Sequence, residues 1–212
     1  MANYSVHVST VKRSSGQNAI ASAAYNSRSK LSLNATDKDT NITVQLAWDY
    51  SKKGGLAYSQ IHAPENAPEW VHDRQQLWNK AEQAENRCDA VTAGKIMIAL
   101  PNELSDEQNI ELVKEITGEL VKLGMIVDSN IHNDNHNNPH VHLMHTTREL
   151  VENRYGELDF SHLKNRDWRG AKWVGFVREL SANIINKHYE LNGFEQRITH
   201  KSYKELGVDL EA

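Results

Sequence analysis

Residues 131–145, IHNDNHNNPHVHLMH, restrict the fold more tightly than any other stretch of the chain. Side chains of a strand alternate between its faces, so His140 and His142 present both imidazoles on one side while Val141 and Leu143 face an apolar core on the other. The connecting Asn- and Asp-rich run, ending at Pro139, has the composition of a turn. It folds the preceding strand, MIVDSNIH at 125–132, back antiparallel and brings His132 alongside the pair.

Two histidines at i and i+2 often do no more than hydrogen-bond in a half-buried sheet. A third across a tight turn changes the balance, because crowded imidazoles repel one another on protonation. Three neutral imidazoles converging on one point are instead a donor set for a divalent cation, with positions left open for substrate oxygens. His132, His140 and His142 are therefore the expected metal ligands. His136, in the turn, and His145, pointing away from the pair, are weaker candidates, and Asp134 is placed to orient a ligand as a hydrogen-bond acceptor.

The rest of the pattern predicts strands interleaved with helices. YSVHVSTV (4–11) and ITVQLAW (42–48) read as strands and KIMIALP (95–101) as a short buried one. QNAIASAAYNSRSKL (17–31) reads as a helix with Ile20, Ala23, Ala24 and Leu31 on its apolar side. Residues 52–68, with two glycines and two prolines, read as loop, and 69–93 as a helix carrying Trp70, Leu77, Trp78 and Ala81. Ser105 and Gln108 form a capping box opening a helix that Gly124 closes. A long helix over 168–192 buries Trp173, Phe176, Val177, Leu180, Ile184 and Tyr189. The expectation is one α+β domain over 1–212: a central antiparallel sheet with helices packed on it.

A net charge of −4 argues at first against a nucleic-acid partner, but its distribution does not. Residues 1–62 carry net +4 and 160–204 net +5, around a middle section, 63–128, of net −7; a fold joining the ends makes a positive groove for phosphate. The plainer reading is that these are solvated faces. Cys88 is the only cysteine, which excludes an internal disulfide and points to a reducing, cytoplasmic setting. The N-terminus has no apolar signal core, and no apolar run approaches the roughly 20 residues that span a bilayer, so membrane insertion is not expected.

Tyr25 lies in the first predicted helix among Asn18, Ser22, Arg28 and Ser29, on a polar stripe. Taken alone it is one surface tyrosine of seven. The chain as a whole, however, resembles the MobA/MobL-type relaxases of the HUH endonuclease superfamily. The resemblance is carried by SSGQNAIASAAY, ENRCDAVTAGKIMIALP, IHNDNHNNPHVHLM and the closing ITHKSYKELGVDLEA, where Lys201 stands for a usual arginine. It implies Tyr25 as nucleophile and His132, His140 and His142 as ligands of a divalent ion, Mn²⁺ or Mg²⁺ before Zn²⁺. Glu85 and Asp89 match a Glu-x-Arg-x-Asp-Ala pattern, whereas Gly94-Lys95 stands where relatives often carry Arg-Glu. Asp134, His136 and Glu85 are the candidate bases or supporting groups.

The implied activity is metal-dependent nicking of single-stranded DNA at a plasmid transfer origin, giving a 5′-phosphotyrosine and a free 3′-OH that can rejoin. Lys12, Arg13, Arg28, Lys164, Arg166, Arg169 and Lys172 are candidates to track the backbone, and Trp168 to stack a base; Trp173 is expected in the core. Accessory relaxosome proteins and a type IV secretion coupling protein are the implied partners. The resemblance also implies a bacterial cytoplasmic protein that can pass to a recipient cell on its DNA, and it leaves room for further domains beyond residue 212. Two alternatives are a rolling-circle replication initiator, whose tyrosine normally follows the histidines, and a non-catalytic DNA-binding module stabilised by metal.

Overall fold

The computed structural model describes residues 4–36, 43–134, 138–201 and 205–207; His136 and part of the closing ITHKSYKELGVDLEA lie outside them. In chain order the elements are β1 (Val6–Lys12), α1 (Ala19–Asn26), β2 (Lys30–Thr36), β3 (Thr43–Asp49), β4 (Leu56–His62), α2 (Glu69–His72) and α3 (Arg74–Gln83). There follow β5 (Val91–Ala99), α4 (Asp106–Lys122), β6 (Val127–His132), β7 (His140–His145), β8 (Leu150–Glu152), β9 (Leu158–Phe160) and α5 (Gly170–Leu191).

Five strands form one antiparallel sheet in the order β1-β5-β7-β6-β4, with β7 at its centre. Each face carries its own core. Ile96, Ile98, Val141, Leu143, Val127 and Ile131 point towards α4 and α5, where Leu112, Ile116, Leu120, Trp173, Val177 and Tyr189 meet them. On the other face Ala93 and Met144 pack with Ile20, Ala23 and Ala24 of α1 and Leu77 and Trp78 of α3. Full burial of a large apolar side chain contributes roughly 1.5–3 kcal/mol, so the two layers hold the sheet on both sides. The expected α+β architecture is observed, including the capping box: Ser105 accepts from Gln108 N while Gln108 returns a bond to the Ser105 backbone. Among the described residues no helix is long and apolar enough to cross a membrane.

Three departures from the sequence expectation bear on the site. The first helix stops at Asn26, and residues 30–36 pair with β3 instead of continuing it. The cause is local: Ser29 N bonds Ala24 O and Arg28 N bonds Tyr25 O, a helix-ending turn with Arg28 in the left-handed conformation at φ +50°. The second difference is β4, an edge strand inside the expected loop, mostly exposed and lacking clear alternation. It forms because β6, buried along its whole length, needs backbone partners on its second edge. Thirdly, the expected helix over 69–93 breaks at Asp73, whose side chain caps α3 by accepting from Gln76 N, and ends at Gln83.

Candidate active site

His132 and His140 are direct cross-strand partners on β6 and β7, and His142 follows two residues on, so all three imidazoles share one face. Their ring centroids lie 4.7–5.5 Å apart. One ring nitrogen of each falls within 4.8 Å of the others. His140 Nδ1 donates to Asn138 O at 2.9 Å, which leaves Nε2 with its lone pair. Burial, then the neighbouring His132 and His140 and the charges of Lys95 and Arg28, push the His142 pKa down to about 3. Burial foremost, with the Arg28 charge, also lowers that of His132 against the opposing effect of its bond to Asn26. Neutral imidazoles are the form a metal requires, and the donor set fits a divalent cation. His132 has both ring nitrogens engaged: Nε2 donates to Asn26 O at 2.6 Å, and Nδ1 accepts from Arg28 Nη2 at 3.3 Å. One of these must be exchanged for a metal bond.

Helix α1 delivers Tyr25 to this cluster. Its ring centroid lies 6.2 Å from that of His132 and 6.4 Å from that of His142, and the side chain remains 38% exposed, open to a substrate. The helix is anchored at its start by Asn18, which accepts from Ala21 N, and by the buried Glu82 carboxylate, which accepts from Ala19 N at 2.6 Å. Glu82 is in turn held by Arg13, which also donates to Glu82 O, Glu85 O and Arg87 O. Arg13, expected to track DNA, is thus spent on fixing the helix that carries Tyr25.

Arg28 is also more than a surface cation. At the end of α1, where glycine is customary, it adopts the left-handed conformation at a cost of order 1 kcal/mol. That backbone aims the buried guanidinium inward, 4.7 Å from the centre of the Tyr25 ring, against His132 and 3.2 Å from Asp134 Oδ2. Its Nε is buried and has no hydrogen-bond partner among the described residues. Asp134 therefore holds Arg28 directly, and the glycine at 55 (φ +78°) is what lets the chain pass beside it: a Cβ there would lie 1.5 Å from Asp134 Oδ1.

Other expected residues sit elsewhere. Glu85 is buried between Arg148 and Lys164, at 2.9 and 2.8 Å, near the end of the sheet marked by Val91 and His145 and away from His140. Lys164 is tied to Glu85 and to Val91 O. Trp168 is 7% exposed, packed beside Gly124 and His145, and offers no free face to a base; Trp173 lies in the core as expected. Lys12, Arg166, Arg169 and Lys172 are exposed. His145 points into the opposite core, and Asp89 pairs with Arg87 at the surface.

Two residues at the site were not expected. Lys53 Nζ stands 4.7 Å from the Tyr25 ring centre, and Tyr50 packs edge-on to Tyr25 with centroids 5.4 Å apart. Both come from the segment joining β3 to β4, whose course depends on the tertiary pairing of β4.

Fold and site together define an α+β protein with a three-imidazole centre beneath an accessible phenol. Residues 17–212 match the MobA/MobL family. The chain is 31% identical over 229 residues to the conjugal transfer protein TraA of Agrobacterium fabrum (strain C58 / ATCC 33970), covering 96% of this chain and 20% of that protein. It is 26% identical to the mobilization protein MobL of Acidithiobacillus ferridurans, covering 100% of this chain and 61% of that one. A solved structure described as "Molecular Basis of Vancomycin Resistance Transfer in Staphylococcus aureus" superposes with a TM-score of 0.79 at 38% identity, over 94% of this chain and 99% of that one. The chain belongs to the MobA/MobL family. It spans about a fifth of the length of the TraA relative.

Proposed function

We propose that this chain is a relaxase domain that cuts one strand of single-stranded DNA at a transfer origin and stays attached to the cut end. The observation that carries the reading is the Tyr25 ring within 6.2 and 6.4 Å of two imidazoles of the cluster. Its relatives, a conjugal transfer protein and a mobilization protein, support the setting.

In the proposed reaction the Tyr25 oxygen bonds to phosphorus as the bond from phosphorus to the 3′-oxygen breaks. The phenol loses its proton, the 3′-oxygen gains one, and the products are a 5′-phosphotyrosine and a 3′-OH. The ester conserves the phosphodiester linkage, so a returning 3′-OH can reseal the strand without ATP. A divalent cation held by His132, His140 and His142, magnesium or manganese before zinc, would supply Lewis-acid neutralisation of phosphate charge.

The chain's own groups do the rest. The phenol must lose its proton as it attacks an anionic phosphate. Arg28 and Lys53, each 4.7 Å from the centre of the Tyr25 ring, place positive charge at the site that attracts the phosphate. Asp134 keeps the guanidinium aimed at the site, and the Arg13–Glu82 pair keeps α1 in register. The exposed Lys12, Arg166, Arg169 and Lys172 lead the strand away from the site. Accessory relaxosome proteins and a secretion coupling protein complete the expected setting.

The test is incubation with single-stranded oligonucleotides from the transfer origin of the replicon encoding the chain, with and without manganese, followed by a denaturing gel. A protein–DNA band that depends on metal is expected. Metal-dependent folding with no adduct on any strand would overturn the reading and leave a non-catalytic DNA-binding module.

A further inference from the structure

Beside His142, on the β1–β5 side of the cluster, His7, Ser9, Asn26, Lys95, Met97 and His142 wall a cavity of about 150 Å³. Lys95 stands diagonally across β5 and β7 from His142 on the same sheet face, at a Cα separation of roughly 7–8 Å. The residue is half-buried and, among the described residues, its ammonium makes no ion pair or hydrogen bond. A cation so placed opposes the arrival of a metal ion. It is tolerated where an anion lies between them. A second observation points the same way. Asn26 lines the cavity, the residue is 3% exposed, and among the described residues its side-chain amide nitrogen has no hydrogen-bond partner. A buried donor without an acceptor beside an unpaired cation is the chemistry of an oxyanion site.

We propose that this cavity holds the DNA backbone phosphate next to the scissile one, with Lys95 as its counter-charge and Asn26 as its hydrogen-bond donor. The identity of the anion rests on the strand-transfer reading; the unpaired cation and amide do not. The subsite sets the register of the strand: with one phosphate fixed at Lys95, its neighbour falls over the imidazoles beneath Tyr25. Lys95 thus serves as a positioning residue.

The test is binding of a fluorescently labelled single-stranded oligonucleotide from the transfer origin, measured across a salt series in EDTA so that no cleavage occurs. Lys95→Gln is expected to reduce the salt slope of log Kobs by ~0.7, the loss of one phosphate contact on a single strand, and Lys95→Arg to restore it. In a scan with neutral methylphosphonate linkages, one position beside the scissile phosphate should weaken binding to the wild type and not to Lys95→Gln. An unchanged slope, or identical scans for the two proteins, would overturn the proposal. So would a wild-type scan with no sensitive linkage beside the nick, which needs no variant to fold. A Lys95-dependent slope without any tyrosine adduct in metal would sink the strand-transfer reading alone. An adduct with an unchanged slope would sink the subsite alone.

Discussion

The rings of Tyr25 and His142 meet edge to face, with centroids 6.4 Å apart and planes 86° from parallel, although one is carried by a helix and the other by the central strand of the sheet. Removing the phenol oxygen leaves this packing intact. Tyr25→Phe is therefore expected to abolish covalent capture of single-stranded DNA while changing affinity by less than about threefold, below 1 kcal/mol. A denaturing gel that still shows the shifted band refutes the assignment.

Arg28 separates stability from function. Arg28→Ala and Arg28→Gly both remove the guanidinium from Tyr25, His132 and Asp134, and both should lower the rate of adduct formation to the same extent. Only glycine adopts φ +50° without strain, so Arg28→Gly should be the more stable of the two by about 1 kcal/mol in urea unfolding. If alanine is equally stable, the left-handed turn costs the chain nothing and the strain argument fails.

Metal binding has a readout independent of DNA. A cation that binds only the folded cluster stabilises by about 2.7 kcal/mol at one hundred times its Kd, so manganese should raise the melting temperature of the wild type and not of His140→Ala. Excess EDTA should remove cleavage. Undiminished nicking in EDTA counts against the metal, whatever the melting curves show.

His145 makes stability depend on pH. Burial, opposed by its bond to Thr146 O, lowers its pKa to about 4, and among the described residues Nε2 has no hydrogen-bond partner. The unfolded chain binds this proton below about pH 6.5 and the folded chain only near pH 4, so the contribution is complete above 6.5 and is lost as pH falls towards 4. The loss amounts to roughly 3 kcal/mol at most. His145→Met should flatten unfolding free energy against pH across this window relative to the wild type. Parallel curves for the two proteins would contradict it.

Gly94 faces the same imidazole: a Cβ there would lie 2.0 Å from His145 Nε2. Gly94→Ala is expected to lower stability by about 1–3 kcal/mol through displacement of a side chain packed against Trp173. An unchanged denaturation midpoint would show that the core yields more readily than its packing suggests.

The histidine cluster was legible because it is local: a period of two on one strand and a turn of Asn, Asp and Pro determine which imidazoles converge, with His132 opposite His140 in the structure. The helix-ending turn was not legible, because Arg28 occupies a position where glycine is the usual signal. Charge counts misplaced Arg13 and Lys164 for a related reason. A cation reads the same in sequence whether it faces solvent or holds Glu82 or Glu85 inside the fold.

By itself the sequence determined the α+β class, the face of the sheet that carries the imidazoles and, through family resemblance, which tyrosine stands with them. Periodicity and turn chemistry act between neighbours in the chain and need no knowledge of the rest. Only the tertiary structure decided that β4 exists, that Lys53 and Tyr50 reach Tyr25, and that Lys95 and Asn26 share a cavity with His142. Those relations depend on strand order and on which backbone edges remain unpaired, quantities set by contacts between segments far apart in sequence.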